Sequence, residues 1–213
     1  MRRTSRLQIP GFPYHIISRG NNKSVLFYND TDFRKFLRLL ESARNKFPVK
    51  LYNYVLMTNH FHLMLEPLSD GVLAQTMEGI LKPYAHYFNK RYERTGHVFE
   101  SRYKNFIIQT ETYFFSCCRY INLNPVKANM AASPEQHPWS SFSSLANGQK
   151  GLVTIDQHKL YLSLGKTPQE RQNAYRILIQ HQNDDYAKRI KAGRMVIGDR
   201  AFKQQIKSLL ISK

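Results

Sequence analysis

Acidic residues are scarce in this chain. Fifteen Asp and Glu stand against 32 Lys and Arg among 213 residues, giving a formal net charge of +17 and a pI near 10. A charge of that size opposes compaction unless something anionic meets it, and nucleic acid is the usual partner. Long apolar runs are missing, so no membrane span is expected and a membrane surface ranks behind nucleic acid. Cysteine is almost absent. Cys117 and Cys118 are adjacent, which excludes a disulfide framework and a zinc knuckle and fits a reducing, cytoplasmic location. Met1-Arg2-Arg3 is followed by polar residues, Ile9 and Pro10, so no signal-peptide core follows the basic start. Internal repeats and low-complexity tracts are also lacking. What is present is an ordinary apolar fraction of 42%, in a length that suits one substantial core with an appendage.

Phe12–Arg19 reads as a first strand, closed by the turn signal Gly20-Asn21-Asn22. Phe33, Phe36, Leu37, Leu40, Ala43 and Phe47 recur at helical spacing after Asn29 and Asp30 as candidate caps, and Pro48 stops the helix. Val49–Met57 and His60–Glu66 form two strands with a turn at Thr58-Asn59. A second helix carries Leu73, Met77, Ile80, Leu81, Tyr84 and Phe88 on its apolar face, with an expected kink at Pro83. Gly96–Gln109 begins as a loop and ends as a fourth strand. Glu111–Leu123 is a third helix, expected to stop at Asn124-Pro125.

This order is the ferredoxin-like split β-α-β plan of an α+β protein, with two helices on one face of an antiparallel four-stranded sheet. The other face is left for a ligand, with the third helix covering part of that face or its edge. The core is expected over residues 1–132, with 1–11 as a basic lead-in. A surface connection follows over 133–152, anchored by Trp139 and Phe142, and then a small helical extension over 153–213. In that extension Thr167-Pro168-Gln169-Glu170 is a capping box, and Asp185–Lys191 and Arg200–Ile211 read as short helices separated by Gly193 and Gly198.

The chemistry concentrates at His60 and His62. Residues i and i+2 of a strand share a face, so the two imidazoles project side by side, half of a metal site. A pair of histidines on a half-exposed strand would look the same. On the third helix Tyr120 and Asn124 lie one turn apart, with Tyr113 two turns earlier on the same side. Laid across the histidine face, that helix offers a phenol and an amide oxygen to the imidazoles. Imidazole and oxygen ligands suit Mn²⁺ or Zn²⁺, with Mg²⁺ accepted less naturally. Such a site polarises a phosphodiester, and Tyr120 is placed to attack it. Packing against the sheet satisfies the same tyrosine pattern. Arg102-Tyr103-Lys104 sets two cations around an aromatic, a combination that grips phosphates and stacks a base.

These residues carry a resemblance. Asn59-His60-Phe61-His62 resembles the His-hydrophobic-His motif of the single-strand HUH tyrosine transposases. Tyr120-Ile121-Asn122-Leu123-Asn124-Pro125-Val126-Lys127 resembles the tyrosine-to-NPVK segment of their REP-associated branch. Pro13-Tyr14-His15 with Arg19-Gly20-Asn21-Asn22, Gly96-His97 with Arg102-Tyr103-Lys104, and Trp139-Ser140-Ser141-Phe142 match family patterns in the same order. The match spans roughly residues 8–145. It implies a bacterial, nucleoid-associated DNA endonuclease and strand transferase dependent on a divalent metal ion (Mg²⁺ or Mn²⁺). The substrate would be single-stranded DNA beside a hairpin, cleaved to a 5′-phosphotyrosine and a free 3′-OH. Carried over by position, the resemblance makes Tyr120 the nucleophile and His60, His62 and Asn124 the metal ligands. Tyr113 is the fallback nucleophile, but Cys117 rather than an amide lies four residues beyond it. Arg19, Lys23, Arg102 and Lys104 are the expected DNA contacts, with binding that weakens steeply with salt. Relatives include dimers and monomers, so both states stay open. Two other readings use the same residues: a non-catalytic nucleic-acid-binding module, and a metal hydrolase that activates water.

Overall fold

The computed structural model describes residues 8–180, 185–193 and 195–211, so residues 1–7 of the basic lead-in lie outside the described residues. Strand β1 (Tyr14–Arg19) opens the fold, and helix α1 (Asp30–Lys46) follows. The start of α1 is fixed by a capping box: Asn29 Oδ1 accepts from Thr31 N–H at 3.1 Å, and the Asp32 carboxylate accepts from Asn29 N–H at 3.4 Å. Phe33, Phe36, Leu37, Leu40 and Ala43 are buried along its inner face. Strands β2 (Val49–Met57) and β3 (His60–Pro67) form the hairpin, turning at Thr58-Asn59 with Met57 paired to His60. Helix α2 (Val72–Arg91) runs uninterrupted through Pro83, and β4 (Lys104–Ile108) completes the expected four antiparallel strands.

A fifth strand, β5 (Val196–Ile197), extends the sheet in parallel beside β4, giving the order β2-β3-β1-β4-β5. Two residues are too few to carry a sequence period, so this strand has no signature of its own. The histidine strand β3 and its neighbour β1 lie inside the sheet. In their register His62 faces Ile17 and His60 faces Arg19.

Alternation along the strands divides the interior in two. Tyr14, Ile16, Phe61, Leu63, Leu65 and Ile107 pack beneath α1 and α2. Val55, Met57, Met64, Phe106 and Ile108 face the opposite way, into a second core. That core is closed by helix α3 (Thr110–Lys127) and by residues of α4 (Phe142–Asn147), α5 (Lys159–Leu162), α6 (Pro168–Gln180) and α7 (Asp185–Lys191). The second sheet face is therefore covered over most of its area, contrary to the expectation of a face left free. The connection over 133–152 lies along the open edge of β2, where Leu56 N–H donates to the Trp139 carbonyl and Ser141 N–H to that of Tyr54. Trp139 stacks on Phe33 at 4.7 Å, and Phe142 is fully buried in the second core. The last helix is α8 (Arg200–Ile211).

Helix α3 does not stop at Asn124-Pro125 but continues to Lys127. The residue before a proline is biased against helical geometry, not barred from it, and here Asn124 Nδ2 donates back to the Tyr120 carbonyl at 2.7 Å. Asn124 thus remains one regular turn beyond Tyr120.

Asp32 ties the far side of the fold together. Fully buried, it accepts from the hydroxyls of Tyr87 and Tyr92 at 2.7 and 2.6 Å and from Tyr28 N–H at 2.8 Å. Asp32→Ala is expected to lower stability by about 2–4 kcal/mol, measured by urea unfolding, because each donor loses a charged acceptor. A loss below about 1 kcal/mol would contradict this role.

Candidate active site

His60 and His62 project from β3 into the end of the second face that the helices leave open, with ring centroids 5.1 Å apart. Helix α3 lies across that face and brings the Tyr120 ring to 5.5 Å from His62, edge-on. One chain therefore brings these side chains together without a second copy. They line a cleft of about 740 Å³ with Arg19, Arg102 and Lys104 at its rim. Lys191 and Met195, from either side of the described Gly193, enclose it from the carboxy-terminal region. One acidic side chain, Glu100, stands among these lining residues.

Each ring is constrained from behind. His60 Nδ1 lies 2.8 Å from Asn59 Oδ1, which can only accept, so His60 carries its proton there and leaves Nε2 bare. His62 Nδ1 lies 2.9 Å from His15 Nε2, whereas His62 Nε2 is buried with no hydrogen-bond partner among the described residues. A buried, unpartnered imidazole nitrogen on a cleft-lining histidine beside a second imidazole fits a divalent ion. No group of three or more His, Cys, Asp or Glu suited to a metal occurs among the described residues. A site here would thus be open, completed by oxygen donors. Asn124 is not part of the cleft lining; its amide nitrogen is engaged by the Tyr120 carbonyl.

Burial dominates the electrostatics. It pulls His60 down to about 4, with Arg19 adding to the effect. His62 is lowered well below the usual imidazole value by burial, then by His15, His60 and Arg19. The Tyr120 phenol is raised, first by burial and then by the Cys117 thiol, while Arg19 and the Asn124 amide act in the opposite direction. At neutral pH both imidazoles are free of excess protons and the phenol keeps its own.

The other expected residues separate clearly. Arg19, Arg102 and Lys104 are exposed at the cleft. Lys23 is exposed on the short turn beyond β1, where its carbonyl accepts from Asn59 Nδ2 at 3.1 Å, and it does not line the cleft. Tyr113 lies outside the cleft lining, beneath Arg189 at 4.8 Å. Chain reading alone gave no functional weight to Lys191 or Tyr186, and took His15 only as part of a motif.

A family model for IS200-like transposases matches residues 8–124. The chain belongs to that family. The match takes in the four antiparallel strands, α1, α2 and most of α3, including both histidines and Tyr120. This IS200-like transposase is also similar in fold to a solved REP-associated tyrosine transposase bound to a REP hairpin. The identity is 18% and the TM-score 0.59, over 74% of this chain and 93% of that one. No curated protein matches the chain. Among the described residues no helix is long and apolar enough to cross a membrane.

The buried histidines also make stability depend on pH. Besides His60 and His62, burial lowers His15 to about 3, His158 to about 4 and His137 in the same direction. Above about 6.5 these rings are neutral in the folded and unfolded states alike. Below it the unfolded chain gains protons that the fold refuses. Stability is therefore complete above about 6.5 and falls toward the folded values by up to about 1.4 kcal/mol per unit for each ring. In EDTA the melting temperature of the transposase is expected to hold steady from pH 8 to 7 and drop from pH 6 to 4.5. A flat profile down to pH 4.5 would contradict the burial of these rings.

Proposed function

We propose that this transposase is a divalent-metal-dependent, single-stranded DNA nicking and joining enzyme that works beside DNA hairpins with Tyr120 as nucleophile. The observation that carries the proposal is the placement of the Tyr120 ring against His62, a cleft-lining residue whose buried Nε2 has no partner among the described residues, within a basic rim. The hairpin bound by the structurally similar REP-associated transposase supports the substrate class.

In this reading Arg19, Arg102 and Lys104 hold the DNA backbone, and the strand passes between them and the histidines. His60 and His62 would hold the metal, with Asn124 the proposed third ligand, and the ion would supply Lewis-acid polarisation of the scissile phosphate. The Tyr120 oxygen forms a bond to phosphorus as the bond from phosphorus to the 3′ oxygen breaks. The phenol gives up its proton and the departing 3′ oxygen gains one. The product is a 5′-phosphotyrosyl linkage and a free 3′-OH, and attack by a 3′-OH on that linkage reverses the step and joins strands. Arg19 acts on the phenol in the useful direction, favouring its ionised form.

The test is incubation of the full chain with Mn²⁺ and a hairpin carrying a 5′ single-stranded tail, followed by denaturing electrophoresis. A denaturation-resistant protein–DNA adduct that requires Mn²⁺ is the expected result. Cleavage with no adduct would favour hydrolysis by water, and binding with no cleavage a non-catalytic module; either overturns the proposal.

A further inference from the structure

Behind the histidine pair runs a buried hydrogen-bonded chain that the proposed reaction does not use. His62 Nδ1 lies 2.9 Å from His15 Nε2, and His15 Nδ1 lies 3.1 Å from the Tyr186 hydroxyl. His62, His15 and Tyr186 are 2%, 0% and 1% exposed, so water does not substitute for any of these partners. Tyr186 belongs to α7 in the carboxy-terminal helices, 171 residues along the chain from His15.

A neutral imidazole has one N–H, so the direction of one link fixes the next. If Tyr186 donates to His15 Nδ1, then His15 Nε2–H donates to His62 Nδ1, and the His62 proton sits on Nε2. That N–H is then buried with no acceptor among the described residues and blocks the nitrogen left for a metal. In the reverse direction His62 Nδ1–H donates to His15 Nε2, and His15 Nδ1–H donates to the Tyr186 oxygen. Both imidazole N–H groups of this second arrangement have acceptors, and His62 Nε2 carries a lone pair. Only this direction leaves His62 able to bind a metal ion.

We propose that His15 and Tyr186 are positioning residues that hold His62 as its Nδ1–H tautomer, so that α7 sets the metal affinity of a site built on the sheet. This inference rests on His62 being a metal ligand. Tyr186→Phe keeps the ring and removes the acceptor at the end of the run. In the DNA-free full chain, its Mn²⁺ affinity, followed by the electron paramagnetic resonance of free Mn²⁺, is expected to fall roughly 10- to 100-fold. Hairpin affinity in EDTA is expected to stay within about twofold, because the basic rim is untouched. In metal-free wild type, ¹⁵N NMR of the histidine side chains is expected to show His62 with Nδ1 protonated and Nε2 bare. Unchanged Mn²⁺ affinity in Tyr186→Phe would overturn the relay, as would a protonated Nε2 on His62 in the wild type. His60→Ala separates the two levels. If it loses Mn²⁺ binding while Tyr186→Phe does not, the relay alone fails; if it binds Mn²⁺ as wild type does, the metal pair fails as well.

Discussion

Tyr120→Phe is expected to abolish the denaturation-resistant protein–DNA adduct and to reduce Mn²⁺-dependent cleavage on the order of a thousandfold or more. The substitution keeps the aromatic ring that packs near His62, His15 and Tyr186, each with a centroid within 5.6 Å of Tyr120, and removes one oxygen. Folding and hairpin binding should therefore persist, which isolates the loss to chemistry. Neither Tyr186 nor Tyr113 is set to replace it. Tyr186 is engaged by His15 and almost fully buried, and Tyr113 lies beneath Arg189 outside the cleft lining. Denaturing electrophoresis with 5′-tailed hairpin DNA reads the result. An adduct of wild-type yield from Tyr120→Phe would remove Tyr120 from the mechanism.

His60→Ala carries the second large effect. His60 is only partly buried, so its truncation opens little core, yet it deletes one of the two proposed ligand nitrogens. Cleavage in Mn²⁺ is expected to fall at least a hundredfold, in line with the several kcal/mol a Lewis-acid ion contributes to phosphoryl transfer. Hairpin affinity in EDTA should change by less than about threefold, because the proposed backbone contacts are the cations at the rim. Filter binding and cleavage on the same preparations separate these effects. A proportional fall in binding and cleavage would make His60 a DNA contact and not a ligand. His62→Ala is the weaker test, since His62 is buried against His15 and its loss disturbs the core.

Much of this site is readable in the chain because it depends on short periods. The shared face of His60 and His62 follows from the two-residue repeat of a strand, and the alignment of Tyr120 with Asn124 from one helical turn. The four antiparallel strands and both helices of the split plan are legible for the same reason. What period cannot supply is the partner across space. The edge-on approach of α3 to His62 depends on which sheet face the helix covers, and an apolar stripe on a helix does not name the face it meets. The contact of Tyr186 with His15 joins opposite ends of the chain and leaves no local mark. The parallel strand β5 is too short to show a pattern. Lys23, an expected DNA contact, is exposed on the turn beyond β1 and does not line the cleft, a placement that sequence order alone does not give.

The central claim is that Tyr120 bonds covalently to DNA, and peptide mapping of the adduct tests it most directly. The Mn²⁺-dependent complex would be digested with nuclease and protease, and the modified peptide located by tandem mass spectrometry. A 5′-phosphonucleotide on the phenol oxygen of Tyr120 is the expected result. A nucleotide on Tyr113, Tyr186 or any other side chain, or cleaved DNA with no modified peptide, would contradict it.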